Sequence, residues 1–170
     1  MRPLRNLTVA ATTALTSAVA VLAAPATASA TPDGCSGYVR TRPQDTITIV
    51  SSTGQNYGWA EWLYCTSGSA EHQQWVRVHL STAINSNYTG DPGNFIGVHL
   101  SDTGRTDVRA SQFCRSACSL LPGVYDTLSM SAADRQLCAS MYAQENPSGD
   151  KHSGTPIFFA RGGAYAEFCA

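Results

Sequence analysis

Six cysteines constrain this chain more than any other feature of its sequence. They are Cys35, Cys65, Cys114, Cys118, Cys138 and Cys169. An even number of cysteines in an exported protein predicts a disulfide framework, here of three bonds. A zinc-thiolate site would require Cys-x-x-Cys pairs or clusters of cysteine and histidine at ligand spacing, and the sequence contains neither. We therefore expect a disulfide-stabilised protein without a metal or other cofactor.

The N-terminal stretch of the chain has the three parts of a secretory signal peptide. Two arginines precede an apolar segment at residues 9–24, and residues 28–30 (ASA) match a small-residue cleavage site. No later stretch reaches the roughly 18 apolar residues that a membrane helix needs. We therefore predict that residues 1–30 are a signal peptide and that residues 31–170 form one extracellular domain, monomeric and free of the membrane.

The charge of the chain argues against binding to nucleic acid through phosphate contacts. The net charge is −1, and Lys151 is the only lysine. Proteins that hold a phosphate backbone neutralise it with many lysines and arginines. Nucleic acid is therefore an improbable partner except as a substrate at a small local site.

Alternating apolar and polar residues predict strands in the first half of the chain and at its end. The expected strands include residues 46–51, 59–66, 75–81 and 95–101 and a hairpin around Gly162-Gly163. Apolar residues at helical spacing predict helices at residues 107–121 and 131–144. The predicted fold is α+β, an antiparallel sheet of about five to seven strands with two short helices.

The pairing of the cysteines follows in part from these predicted elements. We prefer Cys35–Cys65, both in the N-terminal half. Cys114 and Cys118 would lie one helical turn apart, where a mutual bond is awkward. We therefore expect them to bond Cys138 and Cys169, in either order.

The sequence VHLS occurs twice, at residues 78–81 and 98–101. In a strand, valine and leucine of each copy face one side, and His79 and His99 face the other. Two imidazoles on one face can act as general base and general acid in phosphodiester cleavage, and Arg77 can hold a phosphate. The alternative is that both histidines lie on the solvated outer face of the sheet.

These residues resemble parts of two enzyme families. The repeated His-Leu-Ser is similar to the His-x-Ser/Thr pair of the two-histidine phosphoesterases. Glu61, Arg77 and His79 (or His99) resemble the glutamate, arginine and histidine of small secreted ribonucleases, which implies a glutamate base and a histidine acid. The alternative for Glu61 is a structural residue at a sheet edge.

A third resemblance involves Ser153. Residues 149–157 (GDKHSGTPI) resemble the Gly-Asp-Ser-Gly-Gly-Pro loop of trypsin-like serine proteases. His79, Asp102 and Ser153 also follow the chain order of the catalytic residues in that family. The resemblance implies a degenerate relative of those proteases.

Aromatic residues crowd the first half of the chain. Trp59, Trp62, Trp75 and Tyr88 are candidates for a binding surface, because tryptophan and tyrosine combine a large apolar area with a polar group. The alternative is that they pack in the core.

No catalytic motif in this sequence is intact. We therefore favour a secreted binding or inhibitor-type module for an extracellular protein or glycan. A small phosphodiester-directed hydrolase that uses His79 and His99 is the second hypothesis.

Overall fold

The computed structural model describes residues 31–41, 45–86, 95–105, 107–115, 118–132, 135–148 and 153–170. This part of the chain consists of strands and turns and contains no helix. None of it is therefore a helix long and apolar enough to cross a membrane. The signal peptide predicted at residues 1–30 lies outside the described residues.

The described residues form 14 strands. They are β1 (Cys35–Arg40), β2 (Thr46–Ser51), β3 (Asn56–Gly68), β4 (Gln73–Leu80), β5 (Ile84–Ser86), β6 (Phe95–Asp102), β7 (Val108–Arg115), β8 (Cys118–Leu120), β9 (Gly123–Asp126), β10 (Met130–Ser131), β11 (Leu137–Glu145), β12 (Thr155–Arg161), β13 (Ala164–Tyr165) and β14 (Phe168–Cys169).

Twelve of these strands form one antiparallel, nearly closed, barrel-like sheet. Its main path runs β10-β4-β3-β2-β12-β11-β6-β7, and β1, β9, β13 and β14 pair at its sides. Strands β5 and β8 form a separate pair. Strand β7, at one end of the path, approaches β9, which pairs with β4 near the other end. The ring centroids of Phe113 on β7 and Tyr125 on β9 lie 5.5 Å apart.

The strands of the first half follow the predicted alternation. Ile47 and Ile49 on β2 are buried and the threonines between them are exposed. The predicted hairpin of β2 and β3 is present. A second predicted hairpin joins β12 to β13 through Gly162 and Gly163, which both have positive φ (59° and 83°) and so adopt the backbone conformation that glycine tolerates best.

The prediction of an α+β fold is wrong. Residues 107–121 lie mostly in β7 and β8, and residues 131–144 lie mostly in β11. A spacing of four residues, such as that between the buried Leu137 and Met141, places both side chains on one face of a helix and also on one face of a strand. Pairing of β11 with β6, β12 and β14 decides in favour of the strand.

All six cysteines form disulfides, and none is free. The predicted Cys35–Cys65 bond is confirmed. The other two bonds, Cys114–Cys118 and Cys138–Cys169, correct the predicted pairing. The prediction failed because it assumed a helix at residues 107–121. In the strands, Cys138 and Cys169 are direct cross-strand partners, and the Cα atoms of Cys114 and Cys118 lie 6.2 Å apart, within the usual range for a disulfide.

The main hydrophobic core lies inside the sheet and gathers side chains from most strands. Trp62 is part of it, and its Nε1 donates a hydrogen bond to the carbonyl oxygen of Phe168 (2.8 Å). A second, smaller cluster contains Leu63, Cys65 and Trp75 beside the Cys35–Cys65 disulfide. Both sides of β3 are therefore packed over much of its length, as its bulky residues on both faces predict.

Candidate functional site

The two VHLS strands do not lie side by side. Strand β4 pairs with β3, β9 and β10, whereas β6 pairs with β7 and β11. The valine and leucine of each copy are buried, which places His79 and His99 on the outer face as alternation predicts. The ring of His79 contacts Trp59 and Glu61, and the ring of His99 contacts Tyr142. The structure thus places the two histidines in different clusters.

The His79 cluster is built on a buried carboxylate. Nε2 of His79 lies 2.8 Å from Oε1 of Glu61, which is 5% exposed. Arg40 of β1 forms an ion pair with the same carboxylate. Trp59, the cross-strand neighbour of His79, stacks on the imidazole ring with a centroid distance of 3.8 Å. The guanidinium of Arg40 lies over the Trp59 ring, 5.6 Å from its centroid. Glu61 is therefore a central partner of two basic side chains and is not a residue at a free sheet edge.

Arg77 lies next to this cluster, but its guanidinium is hydrogen-bonded to a different carboxylate. Its Nε and Nη2 donate to the two oxygens of Asp126 at 2.7 and 2.8 Å, and its Nη1 donates to the hydroxyl of Tyr38 at 2.9 Å. Hydrogen bonding to Asp126 raises the pKa of the guanidinium further above its usual range, against the opposing effect of burial. A phosphate could reach this fork only by displacing Asp126. Of the predicted Glu61, His79 and Arg77 set, the structure joins the first two.

The His99 cluster lines a hollow of about 330 Å³ on the outer face. Its lining consists of His99, Ser101, Arg105, Val108, Ser140, Tyr142, Tyr165 and Glu167. The hollow therefore brings together hydroxyl groups, an imidazole and a pair of charged groups, all of which can form hydrogen bonds with a ligand. We call this site the tyrosine hollow.

Strand register explains why these side chains meet. His99 and Ser140 are cross-strand partners of β6 and β11, and such partners point to the same face. Ser101 and Val108 are partners in the same sense across β6 and β7. Tyr142 follows Ser140 by two residues and therefore shares its face.

Residues close to the C-terminal hairpin complete the rim of the hollow. Arg105 donates from Nη2 to Oε1 of Glu167 at 3.1 Å, and both side chains are substantially exposed. Tyr165 is 57% exposed and Tyr142 is 50% exposed. Two exposed tyrosine side chains therefore lie at the edge of a polar depression.

Two titratable groups of the hollow, His99 and Tyr165, have pKa values shifted in the direction that favours their neutral forms. Burial lowers the pKa of His99 below its ordinary value of 6.5, and its ring lies 4.2 Å from that of Tyr142. Burial, followed by the nearby charge of Glu167, raises the pKa of Tyr165. A neutral imidazole and a neutral phenol can each donate and accept a hydrogen bond, which suits a ligand rich in hydroxyl groups.

The other predicted binding residues lie elsewhere. Trp62 is 3% exposed and Trp75 is fully buried, so both are core residues, whereas Trp59 is half-buried on the outer face. Tyr88 lies outside the described residues. Ser153 is exposed and its Oγ lies 3.5 Å from that of Ser148. His79 contacts Trp59 and Glu61, and Asp102 contacts Asp107 and Arg135.

One group of described residues has the spacing of a metal site, namely Cys138, Glu167 and Cys169. The two sulfur atoms are joined in a disulfide, so they cannot act as thiolate ligands. The group offers a metal ion only one carboxylate.

The sequence reasoning missed Arg40, Arg105, Tyr142, Tyr165 and Glu167. Tyr142 was hidden because it fell in a predicted helix. A signal was available, since Ala139 and Met141 are apolar and alternate with Ser140 and Tyr142, a strand pattern. The position of Glu167 and Arg105 at one rim depends on long-range pairing and has no local signal.

Comparison with protein-family models, curated proteins and solved structures yields no match for this chain. The geometry of the outer face is therefore the basis for assigning a function.

Proposed function

We propose that this protein is an extracellular binding module that takes a glycan in the tyrosine hollow. The observation that carries the proposal is the pair of exposed rings, Tyr142 and Tyr165, on the rim of a depression lined by hydroxyl and charged groups. Aromatic rings of this kind provide apolar contact area together with a polar group.

The chemistry of the hollow favours a sugar over an apolar ligand. A pyranose has an apolar C–H face that can pack on a tyrosine ring, and its hydroxyls need neutral donors and acceptors. Ser101, Ser140 and His99 supply such groups on the floor, and Arg105 and Glu167 supply charged ones at the rim. The volume of about 330 Å³ lies at the lower end of the range for small-ligand sites, which corresponds to one or two sugar units.

An extracellular location is part of this proposal. Residues 1–30 have the pattern of a signal peptide. Three disulfides are consistent with an oxidising compartment. The disulfides link β1 to β3, β7 to β8 and β11 to β14. These links would help the hollow keep its shape outside the cell.

A glycan array followed by titration calorimetry tests the proposal. We expect the protein to bind a defined set of oligosaccharides, and Tyr142→Ala and Tyr165→Ala each to weaken binding about tenfold or more. Tyr38→Ala is the matched control, because Tyr38 is also an exposed tyrosine (44%) but lies on β1. Binding to no glycan, or equal losses in all three variants, would contradict the proposal.

The Glu61–His79 hydrogen bond supports a second candidate function, a phosphodiester-directed hydrolase. A carboxylate that holds an imidazole by one nitrogen can orient it as a general base. His99 has no part in this version, because it lies in the other cluster. The test is hydrolysis of RNA and of bis-nitrophenyl phosphate by the wild type, by His79→Ala and by the control His72→Ala. An unchanged rate in His79→Ala would exclude this candidate.

A further inference from the structure

We infer that the glycan of the tyrosine hollow carries a carboxylate, as a hexuronic acid does, and that Arg105 at the rim recognises this carboxylate. The inference rests on the proposed function and names the class of sugar. Among the described residues that line the hollow, Arg105 and Glu167 are the ones with permanent charges at neutral pH. Their arrangement leaves the arginine able to bind a second carboxylate.

The ion pair with Glu167 occupies only part of the Arg105 guanidinium. Nη2 of Arg105 donates one hydrogen bond to Oε1 of Glu167 at 3.1 Å, and the Arg105 side chain is 75% exposed. A guanidinium has two edges on which a pair of parallel N–H groups matches the two oxygens of a carboxylate. A single hydrogen bond from Nη2 engages one of these edges, so the other can receive a carboxylate of the ligand.

The acidic residues at the two ends of the loop that carries Arg105 pair with a different arginine. Nη1 of Arg135 lies 3.7 Å from Oδ2 of Asp102, and its Nη2 donates to Oδ2 of Asp107 at 3.4 Å. In the described part of the chain, Glu167 is therefore the acidic partner of Arg105. Because this pair is exposed to solvent, water screens the attraction within it, and a ligand can compete for the guanidinium.

The backbone of Arg105 has a conformation that arginine rarely adopts. Its φ is 53°, and its N–H donates to the carbonyl oxygen of Asp102 at 2.9 Å. The turn therefore sets the position of Arg105 independently of Glu167. Residues with strained backbones of this kind are concentrated at ligand clamps and active sites. One exposed ion pair offsets little of the strain, whereas contact with a ligand gives the arginine a function.

Arg105 lies close enough to Tyr165 for one sugar unit to contact both. Burial has the largest effect on the pKa of Tyr165, and the nearby charges of Glu167 and Arg105 raise and lower it, respectively. In a hexuronic acid the carboxylate projects from the edge of the sugar ring. A sugar that packs its apolar face on the Tyr165 ring would therefore direct its carboxylate sideways, toward the rim that carries Arg105.

The same geometry favours an acidic sugar over an amino sugar. The ammonium of an amino sugar would need Glu167, which already accepts the hydrogen bond from Arg105. An ammonium is a compact charge that cannot form the paired, parallel hydrogen bonds of a guanidinium with a carboxylate. A uronate gains such a pair from the open edge of Arg105, which offsets its repulsion by Glu167.

Matched sugars test the carboxylate directly. The probes are the methyl glycosides of glucuronic, galacturonic and mannuronic acid, each compared with its methyl ester and with its neutral hexose glycoside. The members of a set have nearly the same shape and differ in charge. By NMR titration we expect at least one uronate to bind about fivefold more tightly than its ester and its hexoside, the upper range for an exposed charge pair.

Arginine variants assign this preference, defined as the ratio of the Kd of the ester to the Kd of the uronate. Arg105→Gln should remove the preference, and Arg161→Gln should retain it. Arg161 is the matched control, because it is 52% exposed and its Nη2 also donates to one acidic side chain, that of Asp45, outside the hollow.

A change at Glu167 should have the opposite effect. Glu167→Gln removes the carboxylate that competes for Arg105, so the affinity for the uronate should rise several-fold. Glu71→Gln is the control, because Glu71 is an exposed glutamate in a turn away from the hollow, and it should not change this affinity. An unchanged or lower affinity for the uronate in Glu167→Gln would contradict the competition.

The outcomes distinguish this inference from the proposed function. If glycans bind in the hollow but no uronate is preferred over its ester, the inference is wrong and the glycan site stands. The same holds if the preference persists in Arg105→Gln. If no glycan of any kind binds, the proposed function and the inference are both wrong.

Discussion

Nε2 of His79 lies 2.8 Å from Oε1 of Glu61, and the glutamate is 5% exposed although it sits on the outer face of the sheet. Its burial follows from its surroundings, since Arg40 and His79 both contact it. A buried carboxylate is stable only when its charge is compensated. The outer face around β3 is therefore an ordered polar layer and not a loosely solvated surface.

Replacing this carboxylate should destabilise the protein. Glu61→Gln removes the charge that holds Arg40 and His79 and leaves their donors poorly matched. We expect a loss of about 2 kcal/mol in the free energy of unfolding, the order found when a buried partner of a charged group is removed. Urea denaturation measures it. The control Glu71→Gln, at an exposed turn position, should change stability by less than about 0.5 kcal/mol; an equal effect of the two changes would contradict the role given to Glu61.

The stability of the fold should decrease in mild acid through His99. Burial lowers the pKa of His99 below 6.5 in the folded state, so the unfolded chain binds the proton more readily. Below the unfolded pKa, protonation favours unfolding, and the stability lost grows as the pH falls toward the folded pKa. Thermal melting between neutral pH and about pH 5 should show a smaller decrease for His99→Gln than for the wild type. Parallel pH profiles would show that His99 does not contribute.

Removal of a disulfide that closes a long loop should cost more stability than removal of the one that closes a short loop. The Cys138–Cys169 bond joins residues 31 apart in sequence, and Cys114–Cys118 joins residues 4 apart. Chain-entropy arguments assign about 4 kcal/mol to the longer loop and about 2 kcal/mol to the shorter one. We expect the Cys138→Ser/Cys169→Ser double variant to lose more stability in urea than Cys114→Ser/Cys118→Ser. The opposite order would indicate that the short bond has a role beyond restricting the unfolded chain.

The strands that the sequence predicted well are those in which one face is apolar and the other polar. In β2 the isoleucines alternate with threonines, a pattern that fits only a strand. The Cys35–Cys65 bond was also predicted, because both cysteines lie in the N-terminal half of the chain. In β11, by contrast, the apolar residues at 137, 138 and 141 also match a helix, and only the neighbouring strands exclude it.

The candidate sites could be predicted only in part for the same reason. The contact of Glu61 with His79 depends on the register of two strands that are adjacent in sequence, and both residues were selected. The tyrosine hollow combines β6, β11 and β13 with the loop that carries Arg105. These elements are far apart in sequence, so no local pattern predicts that their side chains meet. The pairing and register of the distant strands bring them together.

Gly58 on β3 should tolerate replacement by alanine poorly. Its φ is 147°, and a Cβ atom there would lie 1.9 Å from the carbonyl oxygen of His79 on β4. Gly58→Ala would therefore push β3 away from β4 next to His79, and we expect a loss of about 3 kcal/mol or more. Gly54→Ala is the matched control. Gly54 also has positive φ (85°), but a Cβ atom there would meet nothing within 4 Å, so only the backbone strain of about 1–2 kcal/mol should appear. Urea denaturation of both variants gives the comparison, and equal losses would show that the close approach of β3 to β4 at this point has no energetic weight.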